Sequence, residues 1–374
     1  MSGCALFLSP TILIQHLTAA VRPVFFVWAV TASLWSGQAL AQAPVAAPKQ
    51  APAQAAAAAS ASHPLLQQLA LTADECPAFA RLASDYQAKF SAPMKAWAEQ
   101  KLTALQAKKV VYPFSGADVV TAMTLFPSVE HLILVADQWP EYAGSRQAAA
   151  GQAAKECATM SYFARYGYFR TNDLEGKNSV KPRFIKLLLY SIELGDAKVS
   201  GLDYLVVRAD GVAVTQPELQ GIRPDGLRFT LSLAQGRQLT LDYVRMDLSN
   251  NGLRSGKPFH AFLNSQMNDT VLIKSASHLL QKTYFSALAH IIADRSTHLV
   301  QDETGLDIDP LRQVFDVRSF GKFHAPHPLW RDSASGQRLI RYLQEQPSLE
   351  PLPFTIGYEK PSGSILLVGT RKRG

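Results

Sequence analysis

A run of apolar residues from Leu132 to Ala136, preceded by His131, is the strongest constraint that the sequence places on the fold. Successive side chains of a strand point to opposite faces, so a strand that is apolar throughout must be covered on both faces. Such burial is typical of parallel α/β sheets. The β-prone segment Val110–Tyr112 and a helix from Ala117 to Leu125 come just before this run, which predicts a right-handed strand–helix–strand crossover.

A second unit repeats this arrangement later in the chain. Val271–Ile273 is a predicted strand, His278–Ala293 a helix and Thr297–Gln301 a strand that ends at Asp302. Alternating apolar residues and turn residues predict three hairpins: Tyr204–Val207 with Val212–Val214, Leu227–Leu233 with Leu239–Tyr243, and Phe354–Tyr358 with Ser364–Thr370.

These elements predict an α/β fold. We expect a three-layer, Rossmann-like mixed sheet with helices on both faces, a β-hairpin insertion at about 200–250, and a C-terminal antiparallel hairpin. No second linker interrupts the sequence after residue 64, so residues 64–374 are interpreted as a single α/β domain.

The amino terminus predicts export. An apolar core from Val24 to Trp35 follows Arg22 and precedes the small-residue site Ala39-Leu40-Ala41. A core of about a dozen residues is shorter than the roughly twenty that a membrane anchor needs, so residues 1–41 are interpreted as a signal peptide. The long segment before Arg22 also suggests that translation starts nearer Val21.

Residues 42–63 consist almost entirely of Ala, Pro, Gln and Ser, which predicts a disordered linker. Cleavage after Ala41 would leave no stable membrane span and would place the folded domain in the periplasm or outside the cell. Of the three cysteines, Cys4 would be lost, and Cys76 and Cys157 would remain. In an oxidising compartment we expect these two to form a disulfide, the alternative being two buried thiols.

The net charge of the chain excludes few classes of function. The formal net charge is +7, but the basic residues are scattered, and the only tight run is Arg371-Lys372-Arg373. Scattered basic residues do not predict sequence-specific recognition, so we expect no nucleic-acid partner. We also expect no cofactor, because exported proteins rarely meet nucleotide cofactors.

The segment Ser115-Gly116-Ala117-Asp118 lies between the first predicted strand and helix. Its S-x-x-D pattern predicts a capping box, in which Ser115 accepts from the Asp118 amide and Asp118 from the Ser115 amide. A nucleotide site is a weaker alternative. Asp137 lies 21 residues beyond Gly116, but a dinucleotide fingerprint needs three glycines.

Ser115 is also a candidate nucleophile, although Pro113 and Ala117 occupy the two glycine positions of the G-x-S-x-G elbow. The segment Asp302-Glu303-Thr304 begins an acidic stretch that continues to Asp309, and it follows an apolar strand. Carboxylates there could bind a cation or act as acid and base, or they could form a solvated turn.

Two further patterns favour structural explanations. His324 and His327 are spaced for a shared metal, but prolines break the helix and no third ligand is evident, so no metal site is predicted. The segment Arg165–Arg170 and the nearby rings could stack on a sugar or a base, but an amphipathic helix end packed on the core explains them more simply. The rings are Tyr162, Phe163, Tyr166, Tyr168 and Phe169.

Five motifs carry a resemblance: Tyr112-Pro113-Phe114-Ser115-Gly116-x-Asp118, Lys274-Ser275-Ala276-Ser277, Gln301-Asp302-x-Thr304-Gly305, Phe320-Gly321 and Pro353-Phe354-x-Ile356-Gly357-Tyr358. Together they resemble an uncharacterised family of exported bacterial proteins. The resemblance supplies no catalytic residues, but it implies that the Ser115 turn and the Gln301 loop meet in space. The strand order also looks like that of methyltransferase-type Rossmann folds, which is an analogy of fold only.

The sequence thus predicts an exported protein whose cleft binds a small polar ligand or a cell-envelope component. The predicted ligand-binding residues are Ser115, Gly116, Asp118, Asp137, Asp302 and Thr304. A periplasmic hydrolase that uses Ser115 or the Asp302 carboxylates is one alternative, and a non-catalytic envelope scaffold is another.

Overall fold

The computed structural model describes residues 76–137, 151–175, 183–216, 223–326, 328–330, 333–346, 348–358 and 363–373. The predicted signal peptide, the predicted linker, the start of the domain at residue 64 and His327 lie outside these residues. Within the described ranges, no helix is both long enough and apolar enough to cross a lipid bilayer.

One mixed sheet organises the described residues. Its strand order is β4-β3-β5-β6-β2-β1-β7-β8-β10-β9. The strands are β1 (Lys109–Pro113), β2 (His131–Ala136), β3 (Lys198–Val207), β4 (Ala213–Gln216), β5 (Gly226–Ser232), β6 (Gln238–Arg245), β7 (Thr270–Ile273), β8 (His298–Gln301), β9 (Phe315–Gly321) and β10 (Ile365–Arg371).

The five central strands, β6-β2-β1-β7-β8, are parallel to one another. On each side of them, neighbouring strands pair in the antiparallel direction. The surrounding helices are α1 (Phe79–Tyr86), α2 (Ala92–Lys101), α3 (Val119–Leu125), α4 (Gln152–Tyr166), α5 (Thr171–Glu175), α6 (Phe184–Leu194), α7 (Asn250–Ser255), α8 (Lys257–Gln266), α9 (Ser286–Arg295), α10 (Ile308–Val314) and α11 (Ala334–Gln344).

Alternation along β2 divides the core into two layers. Leu132 and Leu134 belong to the hydrophobic cluster that includes α3 and α6, whereas Ile133 and Val135 belong to the cluster that includes α8 and α9. All four side chains are fully buried. The three-layer α/β fold predicted from the sequence is therefore confirmed, with the sheet between two layers of helices.

The first two predicted hairpins form, as β3–β4 and β5–β6. Both hairpins belong to the main sheet, because β6 pairs in parallel with β2 along the whole length of β2. A prediction from local alternation identified these strands but could not show which central strand they join.

The predicted pairing of Phe354–Tyr358 with Ser364–Thr370 is wrong. β10 lies between β8 and β9 and is antiparallel to both. Its first five residues are buried, so both of its faces are covered, as is typical of a strand inside a sheet. Ile356 instead exchanges hydrogen bonds with the Ser364 hydroxyl, donating through its backbone amide and accepting through its carbonyl.

The helix predicted over His278–Ala293 is also partly wrong. Two short 3₁₀ turns come first, and α9 begins only at Ser286. Ser277 and His278 have φ values of +50° and +56°, so the chain cannot start a right-handed helix there. The sequence analysis missed α10, although Asp307 caps it and Pro310 lies in its first turn, a combination that is a helix-start signal.

Cys76 and Cys157 form a disulfide that joins the segment before α1 to the middle of α4, with 5.2 Å between their Cα atoms. The predicted pairing is therefore present. The bridge closes a loop across 81 positions, for which the chain-entropy relation gives about 4–5 kcal/mol of stabilisation.

We expect reduction to lower the free energy of unfolding by about 4–5 kcal/mol, since it restores the entropy of the unfolded loop. Urea unfolding with and without dithiothreitol measures this effect. A Cys76→Ser/Cys157→Ser variant is the control, and its unfolding midpoint should be the same with and without dithiothreitol. Equal unfolding midpoints for the oxidised and reduced native chain would contradict the prediction.

Candidate functional site

A cavity of about 840 Å³ opens at the carboxyl ends of β1, β2, β6 and β7. The chain leaves β1 towards β2 on one side, whereas β7 leads to β8 on the other, so the strand order reverses between β1 and β7. Ligands of open α/β sheets bind at such a reversal, outside the carboxyl ends of the strands. Loops after all four strands line the cavity.

The loop after β1 is held by Asp118. Its Oδ1 accepts a hydrogen bond of 3.1 Å from the Thr121 amide and caps α3, which begins at Val119. The predicted capping box is therefore wrong. Ser115 does not cap the helix, because its hydroxyl donates to the Gly116 carbonyl and its amide to the Val135 carbonyl.

The start of α3 is already occupied by protein groups. The Val119 and Val120 amides donate to the Ser191 hydroxyl at 3.0 and 3.2 Å. An anion site at a helix start needs amides that can point at the ligand. The Ser191 hydroxyl on α6 therefore occupies two of the amides that a phosphate at this turn would need.

A buried ion pair lies beneath the cavity. Lys274 and Asp118 are only 3% and 2% exposed, and the ammonium donates to Asp118 Oδ2 and to the Gly167 carbonyl. It also donates to Thr121 Oγ1 at 3.2 Å, and Tyr112 donates to the same Asp118 oxygen at 3.1 Å. These contacts connect β1, α3, β7 and the end of α4.

The loop after β7 has an unusual backbone. Ser275, Ser277 and His278 all have φ between +50° and +56°, which L-residues other than Asn and Asp rarely adopt. Phe114, in the loop after β1, has φ +58°. Such strain persists only where the surroundings impose it, and it concentrates at functional sites.

Asp302 and Thr304 impose this conformation. Asp302 Oδ2 accepts from the Ser275 amide at 2.7 Å, and Thr304 Oγ1 accepts from the Ala276 amide at 2.8 Å. Asp302 Oδ1 in turn accepts from the amide and the hydroxyl of Thr304, at 2.8 and 2.6 Å. The Ser115 turn and the Gln301 loop thus meet through the segment Lys274–Ala276.

Glu303 lies beside Asp302 in a closed environment. A Cβ added at Gly357 would lie 2.7 Å from Glu303 Oε2 and 2.9 Å from Asp302 Oδ2, so only glycine fits against both carboxylates. Burial, and then the charge of Asp302, raises the pKa of Glu303 well above its usual range. Burial raises the pKa of Asp302 as well, but its three hydrogen-bond donors oppose that rise. Burial and the neighbouring charge thus raise the pKa of Glu303 further above its usual range than that of Asp302.

The six predicted ligand-binding residues divide into two groups. Ser115, Gly116, Asp118 and Asp137 line the cavity. Asp302 and Thr304 are fully buried behind the β7 loop and are not among the lining residues. Their role in the structure is to hold the backbone of Ser275 and Ala276.

Among the described residues that line the cavity, Ser115 has no histidine beside it that could act as its general base. Ser115 is 4% exposed, and within the described residues no histidine lines the cavity. The Asp302 carboxylate already accepts three hydrogen bonds from protein groups. Among the described residues, no cluster of three His, Cys, Asp or Glu side chains could hold a metal ion, and His324 is exposed.

The sequence analysis missed part of the lining. Asp247 follows β6 as Asp137 follows β2, and both carboxylates are exposed. The sequence signal for Asp247 was the same as for Asp137, an aspartate just after a strand. It was missed because β6 was predicted to end at Tyr243, whereas the strand extends to Arg245. Trp330 and Tyr358 come from distant loops. Tyr358 belongs to a motif quoted above, but no pattern in the sequence marks either ring as part of a cavity lining.

No protein-family model matches this chain, and no curated protein matches it either. The residues around the cavity are therefore the basis for assigning a function.

We expect Lys274→Met to lower the free energy of unfolding by about 3–5 kcal/mol, because it leaves Asp118 buried without its cation. The Lys274→Met/Asp118→Asn double variant should recover part of this loss, since no uncompensated charge remains. Urea unfolding of both single variants and the double variant gives the coupling energy. Additive losses would contradict a direct interaction between the two side chains.

The raised pKa of Glu303 predicts a pH dependence of stability. An acid that is protonated more tightly in the folded state stabilises fully below its unfolded pKa of about 4.3, and this contribution is lost as pH rises through the folded pKa. We expect Glu303→Gln, which keeps a neutral side chain, to be more stable than the native chain at pH 8 but not at pH 4. Urea midpoints at both pH values test this, with Glu345→Gln, an exposed position at the C-cap of α11, as the control.

Proposed function

We infer that the protein is an exported binding protein and that its cavity holds a small polar ligand or a cell-envelope component. The supporting observation is the position of the cavity, at the reversal of strand order, with four of the predicted residues in its lining. Its volume of about 840 Å³ is within the range of roughly 300–1,000 Å³ that is typical of ligand pockets.

The rigidity of the lining favours binding. Asp302 and Thr304 fix the amides of Ser275 and Ala276, and the Lys274–Asp118 pair fixes the floor. A site that is fixed before the ligand arrives loses less conformational entropy on binding. The left-handed conformations of Ser275 and Ser277 cost free energy, which these contacts offset.

The disulfide supports the exported location. Disulfides persist in oxidising compartments and are rare in the cytosol of most organisms. A Cys76–Cys157 bridge fits a chain that folds after export, as the predicted signal peptide implies. The enzyme alternative has no comparable support, because the Ser115 hydroxyl donates to the Gly116 carbonyl and no histidine among the described residues lines the cavity. No observation on the described residues favours the scaffold alternative.

Asn172→Trp tests this proposal by placing a bulky side chain in the cavity from an exposed position. We expect a library of polar metabolites and envelope fragments to contain compounds that raise the thermal midpoint of the native chain by several degrees, since a ligand at about 100 times Kd adds about 2.7 kcal/mol. Asn172→Trp should lose this effect.

Two control variants make the test specific. Gln100→Trp carries the same side chain on the exposed surface of α2 and should keep the stabilisation. Ser115→Ala should also keep it if the protein binds its ligand without chemistry. Equal stabilisation of Asn172→Trp and Gln100→Trp, or none in the native chain, would reject the cavity as the binding site.

A further inference from the structure

One side of the cavity is a continuous aromatic surface, which we call the aromatic wall: Tyr162, Tyr168, Tyr358 and Trp330. The Tyr162 hydroxyl donates to the Tyr168 hydroxyl at 2.9 Å. The ring of Tyr168 lies 4.9 Å from that of Tyr358 at 79°, and Trp330 lies 4.8 Å from Tyr358. All four residues are partly exposed and line the cavity.

The wall is fixed to the cavity floor. The Tyr358 hydroxyl donates to the Ser275 carbonyl at 2.7 Å and lies 3.0 Å from the Ser277 hydroxyl. The strained β7 loop therefore holds the centre of the wall. Aromatic faces that are rigid and partly exposed bind flat, weakly polar surfaces at little cost in side-chain entropy.

The side of the cavity formed by the loops after β2 and β6 is acidic. Asp137 and Asp247 are exposed there, at the ends of two neighbouring parallel strands. Asp247 is held in place, because its Oδ1 accepts from the Ser249 amide at 2.9 Å and Gly252 packs against its side chain. Carboxylates of this kind accept strong, charge-assisted hydrogen bonds from hydroxyl groups.

The charges of the lining oppose strongly charged ligands. Three carboxylates, Asp118, Asp137 and Asp247, stand against two cations, Lys274 and Arg170, so the lining carries a net charge of 2 − 3 = −1. An anionic ligand would be repelled by the carboxylates of Asp137 and Asp247. It would also find no helix amides to bind at the start of α3, because these already donate to Ser191. A polycation would be repelled by Lys274 in the cavity floor and by Arg170. The Arg170 guanidinium lies 4.0 Å from the Tyr162 ring centre.

We propose that the cavity binds an uncharged saccharide of a few sugar units. A pyranose ring has an apolar C–H face, whose hydrogens are slightly positive and suit the negative face of an aromatic ring. Its edge carries hydroxyls that donate to the carboxylates of Asp137 and Asp247 and accept from Thr171 and Asn172. Saccharide recognition uses both the aromatic wall and the acidic side, and it rests on the proposed function of the cavity.

Isothermal calorimetry and saturation-transfer NMR on the full chain test the inference with five probes. Triacetylchitotriose and maltotriose are neutral saccharides, trigalacturonate is an anionic saccharide of the same length, adenosine is a neutral ring compound, and spermidine is a polycation. We expect a neutral trisaccharide to bind, with the other three probes at least about tenfold weaker, a difference of about 1.4 kcal/mol.

Variants locate the binding surface. Trp330→Ala should weaken saccharide binding by at least about tenfold, and Trp330→Phe should retain most of it, because the ring face is the contact. Asp247→Asn should weaken it by about five- to tenfold, because one charge-assisted acceptor is lost. Asp294→Asn, exposed on α9 away from the cavity, is the matched control and should bind like the native chain.

Several outcomes would overturn the inference. Binding of trigalacturonate, adenosine or spermidine in preference to both neutral trisaccharides would reject an uncharged saccharide and leave the proposed function in place. Saccharide binding that neither Trp330→Ala nor Asp247→Asn alters would reject this binding surface. If Trp330→Ala fails to fold, as judged by circular dichroism, the exposed-site variant Asp247→Asn decides alone. Absence of stabilisation by every compound, including the polar library, would reject both proposals.

Discussion

The buried pair of Lys274 and Asp118 is the interaction on which the site depends. Removing two charges from water costs several kcal/mol per ion, and only additional hydrogen bonds make such a pair tolerable. Here the ammonium has three acceptors and the carboxylate has the Tyr112 hydroxyl and the Thr121 amide as further donors. Because these partners come from four elements, the pair fixes the positions of β1, α3, α4 and β7 relative to one another.

The same pair explains why the loops on both sides of it can be strained. Phe114 precedes Asp118 in one loop and Ser275 follows Lys274 in the other, and both have left-handed φ values. Neither loop can relax without disturbing an enclosed charge. Asp302 and Thr304 add a second fixed point behind the β7 loop, so the backbone facing the cavity is determined from two sides. Strain of this kind is a reason to look for function at the site.

How far the sequence predicts this structure depends on whether the signal is local. β2 was predicted with its observed bounds, because an apolar run on both faces has one stable environment. Asp302 was predicted to face a ligand, because an acid after a parallel strand often does so. It faces backbone amides instead, since the chain folds back at Ser275 in a conformation that serine rarely adopts.

Non-local partners limit the prediction in the same way at the end of the chain. Phe354–Tyr358 alternates as a strand would, yet Phe354 packs edge-on against Trp97, Gly357 fits against two carboxylates, and Tyr358 joins the aromatic wall. Trp97, the two carboxylates and the Tyr168 ring all lie more than 50 positions from their partners in this segment, and no local period can reveal such contacts. Of the residues in this segment, Tyr358 alone is among those that line the cavity, and its partners there come from other parts of the chain.

The architecture and the site lead to different expectations about ligands. Doubly wound sheets that bind nucleotides place a glycine-rich turn and open amides after the first strand. In this chain the corresponding turn holds a buried aspartate, and the helix amides that follow donate to Ser191. The likeness to methyltransferase-type Rossmann folds is therefore a likeness of framework alone. The saccharide proposal therefore assigns recognition to the aromatic wall and the acidic side, which are built from segments outside the β1–α3 turn.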